Sequence, residues 1–208
     1  RCFNTTIDAS NIEVIKTTSP KEKTPKEKLV FGHTFSDHML EIDWDDKVGW
    51  KNPVIRPYGD FSISPAATCL HYGIECFEGM KAYRGKDGKV RLFRPELNME
   101  RMNFSMQRLA MPNFNGEGLL KAMKELIKLD ESWIPSDGGD DGYSMYLRPT
   151  AIGTSPMLGV HVSHEIKTFV LCSPVGPYYR SGFVPITLFA DTNHVRAWPG
   201  GVGNAKLG

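Results

Sequence analysis

Cysteine is scarce in this chain: the 208 residues hold only Cys2, Cys69, Cys76 and Cys172, with no CxxC pair. That spacing excludes a disulfide scaffold and a cysteine-based zinc site, and no metal centre is expected; a reducing compartment fits. No apolar run approaches the roughly 20 residues that span a bilayer, so no membrane partner is expected. Neither sign of charge dominates, since 25 Lys and Arg face 24 Asp and Glu, which leaves no electrostatic handle for nucleic acid. The phosphate-binding pattern GxxxxGK(S/T) is also missing. Lys206 is followed by Leu207 rather than by a hydroxyl placed for Mg²⁺, which disfavours nucleoside triphosphates.

What is present is the make-up of a folded protein, with 40% hydrophobic and 24% charged residues. The length predicts one domain with part of a second. The chain opens on Arg1 without an apolar signal segment, so any presequence is expected to have been removed or never included. Asn4-Thr5-Thr6 and Asn103-Phe104-Ser105 match glycosylation acceptors, a pattern short enough to arise by chance.

Residues 1–28 read as a flexible, solvated N-terminal arm, ending in a Lys-Glu-Lys-Thr-Pro-Lys-Glu-Lys run whose charge and proline disfavour burial. A small α/β domain is expected over 29–172. It opens on a half-buried strand, in which Leu40, Ile42 and Trp44 alternate with Glu41 and Asp43. Leu70, Ile74 and Phe77 predict a helix face that Gly79 terminates, followed by a hairpin of Met80–Tyr83 and Val90–Phe93. A second helix carries Met99, Met102, Met106 and Leu109 up to Pro112, its methionines read as core filler, and a third runs from Leu119 to Ile127. Strands are expected at Tyr146–Ile152, Thr168–Cys172 and Ile186–Ala190. The Pro- and Gly-rich residues 173–185 read as an interdomain connection, and 186–208 as the start of a larger domain. Strands and helices without a strict βαβ rhythm predict an α+β fold.

The last residues, Gly200-Gly201-Val202-Gly203-Asn204-Ala205-Lys206, form a glycine-dense loop that delivers one lysine. Glycines accept positive φ and close backbone approach, so such a loop can hold a ligand against main chain while aiming an amine at it. Read from the loop alone, a surface turn with a solvated lysine is the preferred reading of Lys206.

Several blocks carry a resemblance. Phe31-Gly32-His33-Thr34-Phe35-Ser36-Asp37-His38-Met39, Leu70-His71-Tyr72, Phe77-Glu78-Gly79-Met80-Lys81-Ala82, Leu97-Asn98-Met99-Glu100-Arg101-Met102, Tyr146-Leu147-Arg148-Pro149 and Ser173-Pro174-Val175-Gly176 occur in this order, followed by Val195-Arg196-Ala197-Trp198 and the glycine loop. From Leu29 onward the chain resembles the eukaryotic branched-chain aminotransferases. The resemblance implies the fold type IV architecture of pyridoxal 5′-phosphate (PLP) enzymes. It also implies reversible transfer of the amino group of L-leucine, L-isoleucine or L-valine to 2-oxoglutarate through a PLP Schiff base. Members of that family continue well past the lysine, into a part that supplies a carboxylate for the pyridine nitrogen and further phosphate-binding loops.

By the same resemblance, Lys206 is the catalytic residue that bonds PLP and shuttles a proton, which an amine does only when neutral. Arg101 is the cofactor-binding arginine that grips the phosphate, for which a planar fork of donors is suited. Tyr146 and Arg148, on one face of a strand, serve substrate binding, with a buried structural ion pair as the bland alternative for Arg148. Phe31, Tyr72, Phe77 and Tyr178 match aromatic walls of the substrate pocket. Each is, taken singly, as well explained as core. Val160 matches a loop residue that reaches into the partner subunit's site, which implies a homodimer. Amino acids and 2-oxo acids are the implied small-molecule partners, and the location is intracellular, cytosolic or mitochondrial. Ala205 departs from the larger residues expected beside the lysine. The alternatives are another class IV enzyme, such as a D-amino acid aminotransferase or a lyase, or a truncated, inactive interaction domain.

Overall fold

The computed structural model describes residues 6–135, 142–179 and 184–208. The described residues form a nine-stranded sheet with helices packed on it. The strands are β1 (Glu13–Val14), β2 (His38–Asp45), β3 (Gly49–Trp50), β4 (Val54–Pro57), β5 (Glu75–Phe77), β6 (Met80–Arg84), β7 (Val90–Leu92), β8 (Ser144–Gly153) and β9 (Glu165–Val175). The helices are α1 (Thr68–Tyr72), α2 (Pro95–Arg108) and α3 (Gly116–Leu129). Along the sheet the order is β1-β4-β2-β9-β8-β6-β7, with β3 on β2 and β5 on β8. Every pair is antiparallel except β1 with β4. This is the α+β arrangement that the absence of a βαβ rhythm predicts.

The core lies where α2 and α3 cover the sheet. Met99, Met102 and Met106 of α2 join Leu119, Ala122, Met123 and Leu126 of α3, all at most 1% exposed. They meet Leu40 and Ile42 of β2, Met145 and Leu147 of β8, and Val170 and Cys172 of β9 in one hydrophobic cluster. The methionines are core filler, as their helical spacing indicates. Full burial of each such side chain stabilises the fold by about 1.5–3 kcal/mol. Alternation along β8 then settles what faces the other way. Met145, Leu147 and Ala151 are fully buried, so Tyr146 and Arg148 stand on the opposite face.

Three local expectations change. Cys2 and the first residues of the arm lie outside the described residues, but from Thr6 the segment read as solvated is packed on the body. Ile7 is 2% exposed and its N–H donates to Asn115 Oδ1 (2.6 Å), while β1 adds to the sheet edge. Thr17 N–H donates to His38 Nε2 (2.9 Å), which leaves Nδ1 to donate its proton to the buried Asp130 carboxylate (2.6 Å). Charge density hid a handful of apolar anchors. The second change is at α1, which ends at Gly73, where a left-handed φ of 60° caps it. Ile74 and Phe77 therefore belong to the following turn and to β5, because the nearer glycine stops the helix before the one at 79. Third, residues 186–190 form no strand: Leu188 is 80% and Phe189 91% exposed, with no neighbouring described strand to pair with. In the connection region, β9 runs on through Pro174 to Val175, paired with Ser144, and 180–183 lie outside the described residues.

Candidate active site

The site is built around a break in a ladder. β5 pairs with Thr150–Ile152 of β8, and β6 pairs with Met145–Leu147. Between them Glu78 and Gly79 sit opposite Pro149 and Arg148, and only the Glu78 N–H keeps a ladder bond, to Pro149 O (2.7 Å). The register runs unshifted from Phe77 to Met80, so alternation puts Glu78 on the buried face with Cys76 and Met80, and Gly79 lies so close to β8 that a Cβ there would collide with the Tyr146 hydroxyl.

Glu78 is fully buried, and its carboxylate is saturated with donors. Arg101 Nε donates to Oε1 (2.5 Å) and Nη2 to Oε2 (2.8 Å); the Asn98 amide (2.8 Å) and the Gly79 N–H (3.1 Å) also reach Oε2. Burial is the largest single influence and opposes ionisation, but the donors, led by Arg101, outweigh it and hold the Glu78 carboxyl below its ordinary value. The same hydrogen bonds raise Arg101 further. Arg101 stays 52% exposed, and no described residue engages its Nη1. The guanidinium is thus fixed along one edge and open along the other.

The last described residues lie along the free edge of β5. Phe77 N–H donates to Lys206 O (3.1 Å), Gly208 N–H to Glu75 O (3.2 Å), and Leu207 bridges Cys76. One turn beyond Arg101 on α2, the buried Ser105 hydroxyl accepts the Lys206 N–H (2.9 Å). Ala205 is 5% exposed, so a small residue fits the packing there. The Lys206 backbone is therefore held from two sides. Its Nζ lies 4.6 Å from the centroid of the Phe77 ring, with no hydrogen bond or ion pair to a described residue.

The Arg148 guanidinium lies 4.5 Å from the same ring and donates to the Tyr146 hydroxyl through Nε (3.1 Å) and Nη2 (3.0 Å). Among the described residues no carboxylate pairs with it. Phe31 packs edge-on against Tyr146 with centroids 5.0 Å apart, and against Tyr178 at 6.2 Å. These three aromatics line a cavity of about 380 Å³ together with Lys81, a residue that sequence reasoning passed over. Its signal was faint: one more lysine inside a quoted block.

Of the residues singled out in the sequence, Lys206, Phe77, Arg148, Tyr146, Phe31 and Tyr178 thus form one chain of contacts. Arg101 joins it through Glu78 and Gly79. Tyr72 and Val160 do not join. The Tyr72 hydroxyl instead accepts the Gly159 N–H (2.6 Å), beside Val160, which is 94% exposed with Leu158 (66%) and Val162 (54%). Glu78 and Ser105 were also missed as positioning groups, because burial and pairing are not visible in a linear pattern.

The mixed sheet with its helices matches solved branched-chain aminotransferases of the fold type IV class. A solved T.th. branched-chain aminotransferase, with pyridoxamine 5′-phosphate, matches with a TM-score of 0.50 and 25% identity over 70% of this chain and 42% of its own. The branched-chain aminotransferase of Thermoproteus uzoniensis, solved with norvaline, matches in fold with a TM-score of 0.50 and 22% identity over 67% and 42%. Closer in sequence is a branched-chain-amino-acid aminotransferase of Monosiga brevicollis, 54% identical over 203 residues, 98% of this chain and 51% of the relative. The cytosolic enzyme of that name from Mus musculus is 47% identical over 204 residues, 98% and 52%. The mitochondrial one from Saccharomyces cerevisiae is 48% identical over 202 residues, 97% and 51%. No protein-family model matches the chain. The chain belongs with the branched-chain-amino-acid aminotransferases, and it spans about half the length of the curated relatives it matches.

Proposed function

We propose that this chain is the lysine-bearing part of a PLP-dependent aminotransferase that moves the amino group of L-leucine, L-isoleucine or L-valine to 2-oxoglutarate, giving branched 2-oxo acids and L-glutamate. The observation that carries the reading is Lys206: its backbone is tied to Phe77 and Ser105, while its amine is left without a partner among the described residues. The donor set fits a phosphorylated aldehyde. Lys206 Nζ is the free amine for the carbonyl carbon, and the open edge of Arg101 offers a planar guanidinium to phosphate oxygens.

PLP, when bound, supplies the electron sink. The chain supplies the rest. With the cofactor held, the neutral Lys206 Nζ would accept the proton lost from the substrate Cα and pass it to the cofactor carbon that takes up the amino group, before water frees the 2-oxo acid. The Phe77 ring, 4.6 Å from Nζ, limits where that amine can go. Glu78 fixes Arg101, and Gly79 makes room for the Tyr146 hydroxyl that Arg148 orients. Phe31, Tyr146 and Tyr178 offer apolar walls to aliphatic side chains. One methylene is worth only about 1–3 kcal/mol in such a pocket, so leucine, isoleucine and valine should be handled with modest preference.

The exposed apolar loop at Leu158, Val160 and Val162 supports a homodimer in which this loop meets a second subunit. The relatives' names, cytosolic for some and mitochondrial for others, support an intracellular location and leave the compartment to experiment. The test is the visible absorption of the full-length protein with PLP, before and after L-leucine, beside Lys206→Ala. A cofactor band that leucine removes in the wild type but not in the variant supports the reading. A protein with no such band is not an aminotransferase.

A further inference from the structure

The N-terminal arm runs into the aromatic cavity without a break. Leu29, Val30 and Phe31 line the cavity, and Phe31 sits in a turn closed by the His33 N–H on Val30 O (3.2 Å), which Gly32 permits with a φ of 74°. Beyond the turn the loop is tied to β9: the Ser173 hydroxyl donates to Thr34 O (2.7 Å) and the Ser36 N–H to Cys172 O (2.8 Å). That fixes the loop on one side. The other side is held by the arm.

Lys21 makes this second attachment. Its Nζ donates to Phe35 O (2.8 Å) and Ser36 O (2.6 Å), and lies 4.7 Å from the Tyr58 ring centroid and 5.6 Å from that of Trp133. The Lys21 N–H donates to Asp37 Oδ1 (2.9 Å), and the Trp133 indole N–H donates to Asp37 Oδ2 (2.9 Å). Phe35 stacks on Tyr58 with centroids 4.8 Å apart. Lys21 is exposed as a residue, but desolvation of its ammonium lowers its pKa against the pull of Asp37 and Asp130. One ammonium thus gathers two loop carbonyls and two aromatic faces. Bonds of this charge-assisted kind are roughly twice as strong as neutral ones.

We propose that Lys21 is a positioning residue that sets the place of the Phe31 wall, and through it the fit of branched side chains, by clamping the Phe35 and Ser36 carbonyls. The proposal deepens the aminotransferase reading and rests on it for the substrate. Phe31 is 46% exposed and meets Tyr146 and Tyr178 edge-on, so the loop behind the ring decides where it stands. Without the ammonium, two converging carbonyl oxygens lose their shared donor. The loop then keeps its attachment to β9 but loses this one, and the Phe31 turn gains room to swing.

The test compares the full-length holoenzyme with Lys21→Met, which keeps the length of the side chain and removes its charge and donors. Hydrogen exchange at His33 and Ser36 should quicken roughly tenfold while the amides of α3 are unaffected. The kcat/KM for L-leucine should fall about tenfold, chiefly through KM, and that for L-alanine, whose single methyl group makes least use of the wall, less than about twofold. Because Lys21 acts through Phe31, Lys21→Met in a Phe31→Ala background should cost leucine little more. Lys21→Gln, which keeps donors on a shorter stem, should show the same selective loss in smaller degree, and it takes the place of Lys21→Met if that variant does not fold. Unchanged exchange, equal losses for leucine and alanine, or additive losses in the double variant would each overturn the proposal. The exchange arm needs no turnover. A protein that loosens at Ser36 in Lys21→Met yet transfers no amino group would sink the aminotransferase reading and leave the clamp on the Phe31 loop standing.

Discussion

Replacing Glu78 with alanine tests the central piece of the site. The carboxylate is fully buried and accepts two bonds from Arg101, one from Asn98 and one from the Gly79 N–H. The Arg101 side chain is 52% exposed and can return to water, so its share is discounted toward the about 0–1 kcal/mol of solvent-exposed pairs. The Gly79 N–H and the Asn98 amide lose a charged acceptor in a partly buried turn, at about 1–3 kcal/mol for a donor left unsatisfied. Together these give about 3 kcal/mol, the lower end of what breaking a buried pair costs. The pH dependence follows from sign. The folded-state pKa of Glu78 lies below its ordinary value of 4.5, so its stabilisation is complete above that value. It is lost as pH falls through the depressed folded value. Urea unfolding of the full-length wild type and Glu78→Ala should therefore show the full gap at pH 7 and a shrinking gap on acidification. A gap under about 1 kcal/mol at pH 7, or one that persists unchanged at strongly acid pH, would refute the assignment of an ionised, donor-saturated carboxylate.

Other changes probe the same frame. Gly79→Ala places a methyl group against the Tyr146 hydroxyl and should destabilise by about 1–3 kcal/mol while displacing Tyr146, read as a lowered melting temperature with weakened amino-acid binding. Ser105→Ala removes the acceptor of the Lys206 N–H, so hydrogen exchange at Lys206 should quicken roughly tenfold while the core amides of α3 are unaffected. Burial pushes the Cys76 thiol up to about 12 and raises Cys172 as well. Neither should react with a thiol reagent at pH 8 until the protein is unfolded; rapid labelling of either in the native protein would contradict the packing.

Much of the frame was legible in the chain because it depends on short-range periodicity. The α2 methionines repeat at helical spacing, β2 alternates, and the Lys86-Asp87-Gly88-Lys89 turn joins β6 to β7, so burial of one face follows from covalent geometry. The misses are cases where a distant or neighbouring contact overruled the pattern. A helix from Leu70 to Phe77 was consistent with apolar spacing, but Gly73 takes a left-handed turn and the next residues pair with β8. The charged N-terminal run looked solvated, yet Ile7 and Thr17 reach Asn115 and His38. Residues 186–190 have strand composition and no described strand beside them.

By itself, then, the sequence determined the α+β class, the helical and strand faces, and the chemical types present at the site: one lysine after a glycine loop, two arginines and a set of aromatics. Tertiary structure decided which of them meet. Lys206 and Arg148 share the Phe77 ring although 58 positions separate them, and Arg101 is aimed by a buried glutamate 23 positions away. It also placed an unpaired Lys81 beside Tyr146 and left Tyr72 and Val160 out of that cluster. The physical reason is that periodicity fixes only the face on which a side chain stands. Distances between side chains are set by strand register and by the close approach of Gly79 to Tyr146, which depend on contacts between residues far apart in the chain.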